Sequence, residues 1–158
     1  PESLGYIHAR TADPYAKPAI QPNYLDAEED RRVVLAGMKL ARQLMHSAAL
    51  APFLDHEVYP GLHIQSDDEL LQVARERGTT TYHMMGTCRM GPKTDPTAVV
   101  DDSLRIYGLE GLRVIDASIM PTMLSANLNA GAMLIGEKGS DLVLGKPALE
   151  PLILPEDT

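Results

Sequence analysis

The sequence predicts a mixed fold, α+β / α/β, and three observations carry the prediction. Residues 26–49, 67–77 and 129–144 read as helices, and 99–101, 104–106 and 112–116 read as short strands. Twelve glycines and twelve prolines punctuate the chain between these segments. With 44 % apolar and 23 % charged residues over 158 positions, the composition is that of a globular chain. One phenylalanine, six tyrosines and no tryptophan leave the core to Leu, Ile, Val, Met and Ala. A net charge of −8 argues against a general nucleic-acid binder, which needs a basic face to displace counterions. No apolar run approaches the ~20 residues that cross a bilayer. The single cysteine, Cys88, excludes an intrachain disulfide framework and fits a reducing, cytoplasmic location.

Residues 4–10 read as a weak strand. Pro14, Pro18 and Pro22 fix φ and remove backbone donors, so 13–23 is expected to be an irregular connection. Asp26 can cap the helix that follows, and Glu28, Glu29 and Asp30 suit the positive end of its dipole. Val34, Met38, Ala41 and Met45 recur at spacings of four and three and share one face, and Pro52 prevents continuation. Ser66-Asp67-Asp68-Glu69 is a capping box opening a helix that Gly78 ends. Thr79-Thr80-Thr81-Tyr82 favours extended backbone and delivers His83 to a turn-rich stretch. Gly108 and Gly111 punctuate the strands, and Pro121 stops the last. Gly131, Gly136 and Gly139 each cost the final helix about 1 kcal/mol relative to Ala, which predicts close packing of its backbone against a neighbour. An acidic, loose tail follows Gly145-Lys146-Pro147.

Three places can carry chemistry. A histidine such as His83, between an extended run and a glycine-rich turn, can be held facing a cleft; with an ordinary pKa of ~6.5 imidazole exchanges protons near neutrality. A hydrogen-bonded structural histidine is the competing reading. Ser125-Ala126-Asn127-Leu128-Asn129 precedes the last helix, whose free amides suit anions or carbonyl oxygens; plain asparagine caps are the alternative. Asp116, ending an apolar strand before Ala117, can accept hydrogen bonds from ribose or ribityl hydroxyls, or simply sit in a turn. Cys88 reads as a structural thiol. His8, His46, His56 and His63 lack metal-ligand spacing, so no metal site is expected. GxSxG, Walker-type and GxGxxG motifs are absent from these 158 residues.

Taken in order, these segments resemble the C-terminal portion of the glucose–methanol–choline (GMC) family of flavin-dependent alcohol oxidoreductases, in its choline/alcohol dehydrogenase-like branch. The carrying residues are Tyr82-His83-Met84-Met85-Gly86-Thr87-Cys88-Arg89-Met90-Gly91, Val99-Val100-Asp101, Gly111-Leu112-Arg113-Val114-Ile115-Asp116-Ala117-Ser118, Asn127-Leu128-Asn129-Ala130 and Met133-Leu134-Ile135-Gly136. Pro22-Asn23-Tyr24-Leu25 adds to them. The resemblance implies a two-domain fold, with 1–90 in an antiparallel-sheet substrate domain, 91–145 returning a strand and helix to the FAD domain, and 146–158 as tail. It implies a fragment whose N-terminal FAD-binding part lies elsewhere in the protein and which is inactive without it. The family's catalytic pair falls on His83, as base for the alcohol hydroxyl, and Asn127, as donor to the alcohol oxygen. Asp116 and Ala117 would approach the FAD ribityl–pyrophosphate region, and the Leu128 and Asn129 amides the flavin pyrimidine edge. Partners implied are a small alcohol and an electron acceptor, oxygen or a quinone- or dye-like molecule; hydroxynitrile lyase-like activity is the alternative within the fold. Met84 departs from the proline often found there, which leaves a flexible thioether to line the pocket.

Overall fold

The computed structural model describes residues 1–150 and Leu152; the remainder of the expected tail lies outside the described residues. The chain divides into two compact units, Pro1–Thr81 and Tyr82–Thr158. The 90/91 division expected from the sequence falls further along.

In the first unit, β1 (Tyr6–His8) pairs antiparallel with β2 (Ala19–Gln21), Ile7 opposite Ile20. β2 lies in the stretch expected to be irregular. Pro18 and Pro22 bracket it and leave three residues with amides available to pair, too short a run to stand out among prolines. Gly5 is required beside this pair, because a Cβ there would sit 2.2 Å from the Gln21 carbonyl oxygen.

The first long helix, α1 (Glu28–Met45), stops short of the expected residue 49 and continues as a turn into a 3-10 turn at Ala51–Phe53. Asp26 does not cap it. The N-cap is Ala27, without a side-chain cap bond, and the Ala27 N–H donates to Ser3 Oγ at 3.0 Å. Asp30 in turn accepts from the Glu2 and Ser3 amides, each at 2.8 Å. Hydrogen bonding from the Ser3 side chain, then from the Glu2 and Ser3 amides, lowers the Asp30 carboxyl to about 2. The helix start is therefore sealed by chain more than twenty residues upstream, where local capping rules do not reach.

The second helix, α2 (Asp67–Arg77), carries the predicted capping box: Ser66 Oγ accepts from the Glu69 amide at 3.3 Å, and Glu69 Oε2 accepts from the Ser66 amide at 3.0 Å. Its Leu70 is 1 % exposed and closes against the α1 face carrying Met38, Ala41 and Met45, around a cavity of about 350 Å³. Arg42 stitches the intervening loop to α1. Its guanidinium donates to both Glu57 oxygens, Nη2 to Oε1 at 2.7 Å and Nε to Oε2 at 2.9 Å, and to the Ile64 and Gly61 carbonyls. The Arg42 hydrogen bonds hold the Glu57 carboxyl below its ordinary value, against an opposing desolvation cost. A carboxyl lowered in the fold contributes stability that is complete above its unfolded value of ~4.3 and is lost as pH falls through the folded value. Glu57→Gln is therefore expected to unfold at a lower temperature than the parent at pH 7, and the gap is expected to close as both are titrated below about pH 4. Thermal melts of the complete protein across pH 7 to 3 check this; a constant gap would refute the linkage.

In the second unit, Val100, Leu104 and Ile119 form the buried cluster, with Val114, Ile115 and Ile135 packed against it. The three expected strands are reduced to single bridges, Met90 to Val100, Val100 to Ile106 and Arg105 to Arg113. Left-handed backbone at Leu104, Gly108 and Gly111 bends the chain before any pair extends into a ladder. The last run ends at Asp116 rather than Pro121. Asp116 caps a 3-10 turn, Ala117–Ile119, by accepting the Ser118 amide on Oδ1 at 2.8 Å. The third helix, α3 (Asn129–Leu144), has the predicted bounds and ends on Gly145 at φ +64°. Two of its three interior glycines pack closely: a Cβ at Gly139 would lie 2.2 Å from Ile115 Cγ2, and one at Gly131 2.7 Å from Leu124 Cδ1. Gly136 has nothing within 4 Å, so close packing does not account for it.

Candidate active site

His83 follows Tyr82 at the start of the second unit, and no strand forms over the preceding threonines. The segment after the histidine is held by backbone hydrogen bonds. The Cys88 amide donates to the Ser118 carbonyl at 2.9 Å and the Met90 amide to the Ile119 carbonyl at 2.7 Å. The segment after His83 is thereby docked on the turn that Asp116 caps, with Gly86 at φ +84° permitting the bend. His83, half-buried, then lines an open cavity of about 200 Å³ together with Ala117, Leu128, Asn129 and Ala132, with Tyr82 and Met84 on either side of it.

This wall joins four of the six residues singled out in the sequence: His83, Ala117, Leu128 and Asn129. Asn127 and Asp116, each adjacent in sequence to a wall residue, are exposed and off the wall. Met84 lines it, as its place beside His83 predicted. Tyr82 and Ala132 were missed. The helical repeat places Ala132 one turn beyond Leu128 and could have found it, and adjacency to His83, the signal that marked Met84, could have found Tyr82.

The opening of α3 is anchored by Leu128, 4 % exposed, and no side chain caps it. The asparagines are therefore not caps, and the Asn129 Nδ2 contact is instead with Met133 Sδ at 3.7 Å. First-turn amides without a side-chain partner carry the positive end of the helix dipole and suit carbonyl oxygens or negative charge. Ala117 and Ala132 keep the wall low. Uncapped amides and small walls both fit one edge of a planar, electron-accepting cofactor. Among the described residues there is no group of three or more metal-ligating side chains, and no helix is long and apolar enough to cross a membrane.

The family model described as GMC oxidoreductase matches residues 1–136. The chain belongs to the GMC oxidoreductase family. It is 48 % identical over 147 residues to human mitochondrial choline dehydrogenase, covering 93 % of this chain and 25 % of that protein. Escherichia coli oxygen-dependent choline dehydrogenase is 42 % identical over 93 % of this chain and 26 % of its own length. Among solved structures, the pyridoxine 4-oxidase from Mesorbium loti superposes with a TM-score of 0.83 at 31 % identity, over 94 % of this chain and 28 % of that one. This GMC chain thus spans about a quarter of the length of the curated relatives it matches. That share accords with the many large apolar side chains, Leu40, Leu44, Met133 and Leu134 among them, that it leaves exposed.

Proposed function

We propose that this chain is the C-terminal part of an FAD-dependent enzyme that oxidises an alcohol to an aldehyde or ketone, residues 1–90 serving the substrate domain and 91–145 the FAD domain. One observation carries the reading: the half-buried His83 shares a cavity wall with Ala117 and with the uncapped start of α3 at Leu128 and Asn129. The names of the human and bacterial relatives support choline, or a similarly small primary alcohol, as substrate. The bacterial name supports oxygen over a quinone- or dye-like acceptor.

When bound, FAD supplies the hydride acceptor for the carbinol carbon. The Leu128 and Asn129 amides would hold its pyrimidine edge, where the helix dipole favours negative charge. Ala117 leaves room for the ribityl–pyrophosphate chain, and Asp116, with Oδ1 committed to the Ser118 amide, offers Oδ2 to a hydroxyl. A ring nitrogen of His83 takes the hydroxyl proton. Asn127, off the wall in this chain, would on the family resemblance turn Nδ2 to the alcohol oxygen and steady the charge that develops there. Docking of 88–90 on the 118–119 carbonyls keeps the imidazole in place without a reorganisation cost during the reaction.

The test is an anaerobic visible spectrum of the complete protein, titrated with a panel of alcohols including choline. Bleaching of the oxidised flavin bands by choline is expected. A flavin that stays oxidised with every alcohol would point to a lyase and end the redox reading. The cytoplasmic location belongs to this proposal, and fractionation of the source cells separates it from the mitochondrial one in the human relative's name.

A further inference from the structure

Among the described residues, four other than glycine adopt left-handed backbone: Asn23, Leu25, Tyr82 and Leu104. An asparagine tolerates that region, and a bulky side chain there is an outlier that its surroundings must sustain. Leu104 is sustained by burial, at 5 % exposure, and by the Val114 amide donating to its carbonyl. For Leu25, Arg31 Nη1 donates to its carbonyl at 2.9 Å. Tyr82, at φ +62°, is 79 % exposed as a residue, so burial does not account for its conformation. It is also the one of the four that lines the His83 cavity.

We propose that Tyr82 is a positioning residue whose left-handed backbone turns the His83 imidazole onto the wall formed by Ala117, Leu128 and Asn129. The inference rests on the proposed role of His83 as base. Its geometry is that of a residue held between two bends. Tyr82 at φ +62° lies just before the histidine and Gly86 at φ +84° three residues after it, and beyond Gly86 the chain is pinned by the Cys88 and Met90 amides. The downstream bend falls on a glycine, which adopts it without steric cost; the upstream bend falls on a tyrosine, which does not. A sterically unfavourable conformation persisting next to a reacting group is the pattern expected where aim matters more than local stability. Were φ at 82 to return to the extended region, the chain direction entering His83 would change while the pinned segment downstream stayed put.

The test compares Tyr82→Gly, Tyr82→Asn and Tyr82→Val in the complete, flavin-loaded protein. All three lose the ring, so differences among them report the backbone. Glycine and asparagine accept left-handed φ, and valine is the residue least able to. Glycine and asparagine variants are expected to reduce flavin within about threefold of each other at saturating alcohol, and the valine variant about 100-fold more slowly, the range of a misplaced acid–base group. KM is expected to shift alike in all three, because each has lost the same ring. Crystal structures of the Gly and Val variants give a readout apart from activity: in the Val variant the ring of His83 should have left the wall. Should the Val variant not accumulate, Tyr82→Ala takes its place and is expected to fall between Gly and Val. Equal rates in all variants, with His83 unmoved, would overturn the inference while leaving the base intact. A His83→Ala protein that reduces flavin normally would instead overturn the base, and the inference with it.

Discussion

Replacing His83 with Ala in the complete protein is expected to slow anaerobic flavin reduction by about 10²–10⁴-fold, the contribution of a positioned acid–base group. The imidazole is half-buried on a cavity wall where Met84, Ala117, Leu128, Asn129 and Ala132 carry no titratable side chain and Tyr82 carries a phenol. A neutral phenol is a far poorer proton acceptor than imidazole, so none of these side chains replaces His83 as base. Flavin content and the unfolding midpoint are expected to stay near the parent values, because His83 is outside the buried Val100, Leu104 and Ile119 cluster. Stopped-flow absorbance under saturating alcohol measures the rate without interference from the acceptor half-reaction. Flavin reduction at the parent rate would remove His83 from the reaction and with it the reading of the site.

The second large effect is structural and reaches the site through one contact. Gly139→Ala is expected to destabilise the protein by about 1–3 kcal/mol, the usual cost of overpacking. In an open helix the same change gains up to about 1 kcal/mol, so the sign depends on the neighbour. Here the new Cβ would stand 2.2 Å from Ile115 Cγ2 and within 3.1 Å of two more atoms of that side chain. Clearing the contact by rotating Ile115 about χ1 would move both branches of a side chain whose χ1 is restricted and which packs against the buried cluster. Ile115 must move, and it is followed directly by Asp116 and Ala117, which cap and form the turn on the cavity wall. Flavin affinity and turnover are therefore expected to fall along with stability. In a double-mutant cycle Ile115→Ala should recover part of the loss, with a coupling of about 1 kcal/mol or more. Additive effects of the two changes, measured by chemical denaturation, would place the cost elsewhere.

How much was legible in advance followed the range of the interactions. The Ser66–Glu69 capping box and the bounds of α3 were read correctly, because partners three or four residues apart announce themselves in a short window. The His83 and Leu128-Asn129 motifs were found the same way, and the cavity joins them. Misreadings came where a distant partner decides. Asp26 was taken for a cap, but Ser3 and Asp30 seal α1 across more than twenty residues. β2 escaped notice because its pairing with β1 lies outside its own proline-bracketed run. Residues 112–116 were read as a strand, but the chain turns at Asp116 to dock the His83 segment.

By itself, then, the order of residues determined the bounds of α2 and α3 and which side chains can donate or accept a proton, since hydrogen-bonding capacity and periodicity are local properties. Only the tertiary structure decided that His83 meets Ala117 and the start of α3, that Tyr82 pays a steric cost beside it, and that Gly139 cannot carry a methyl group. Those depend on which backbone comes within a few ångströms of another, and that is settled by packing.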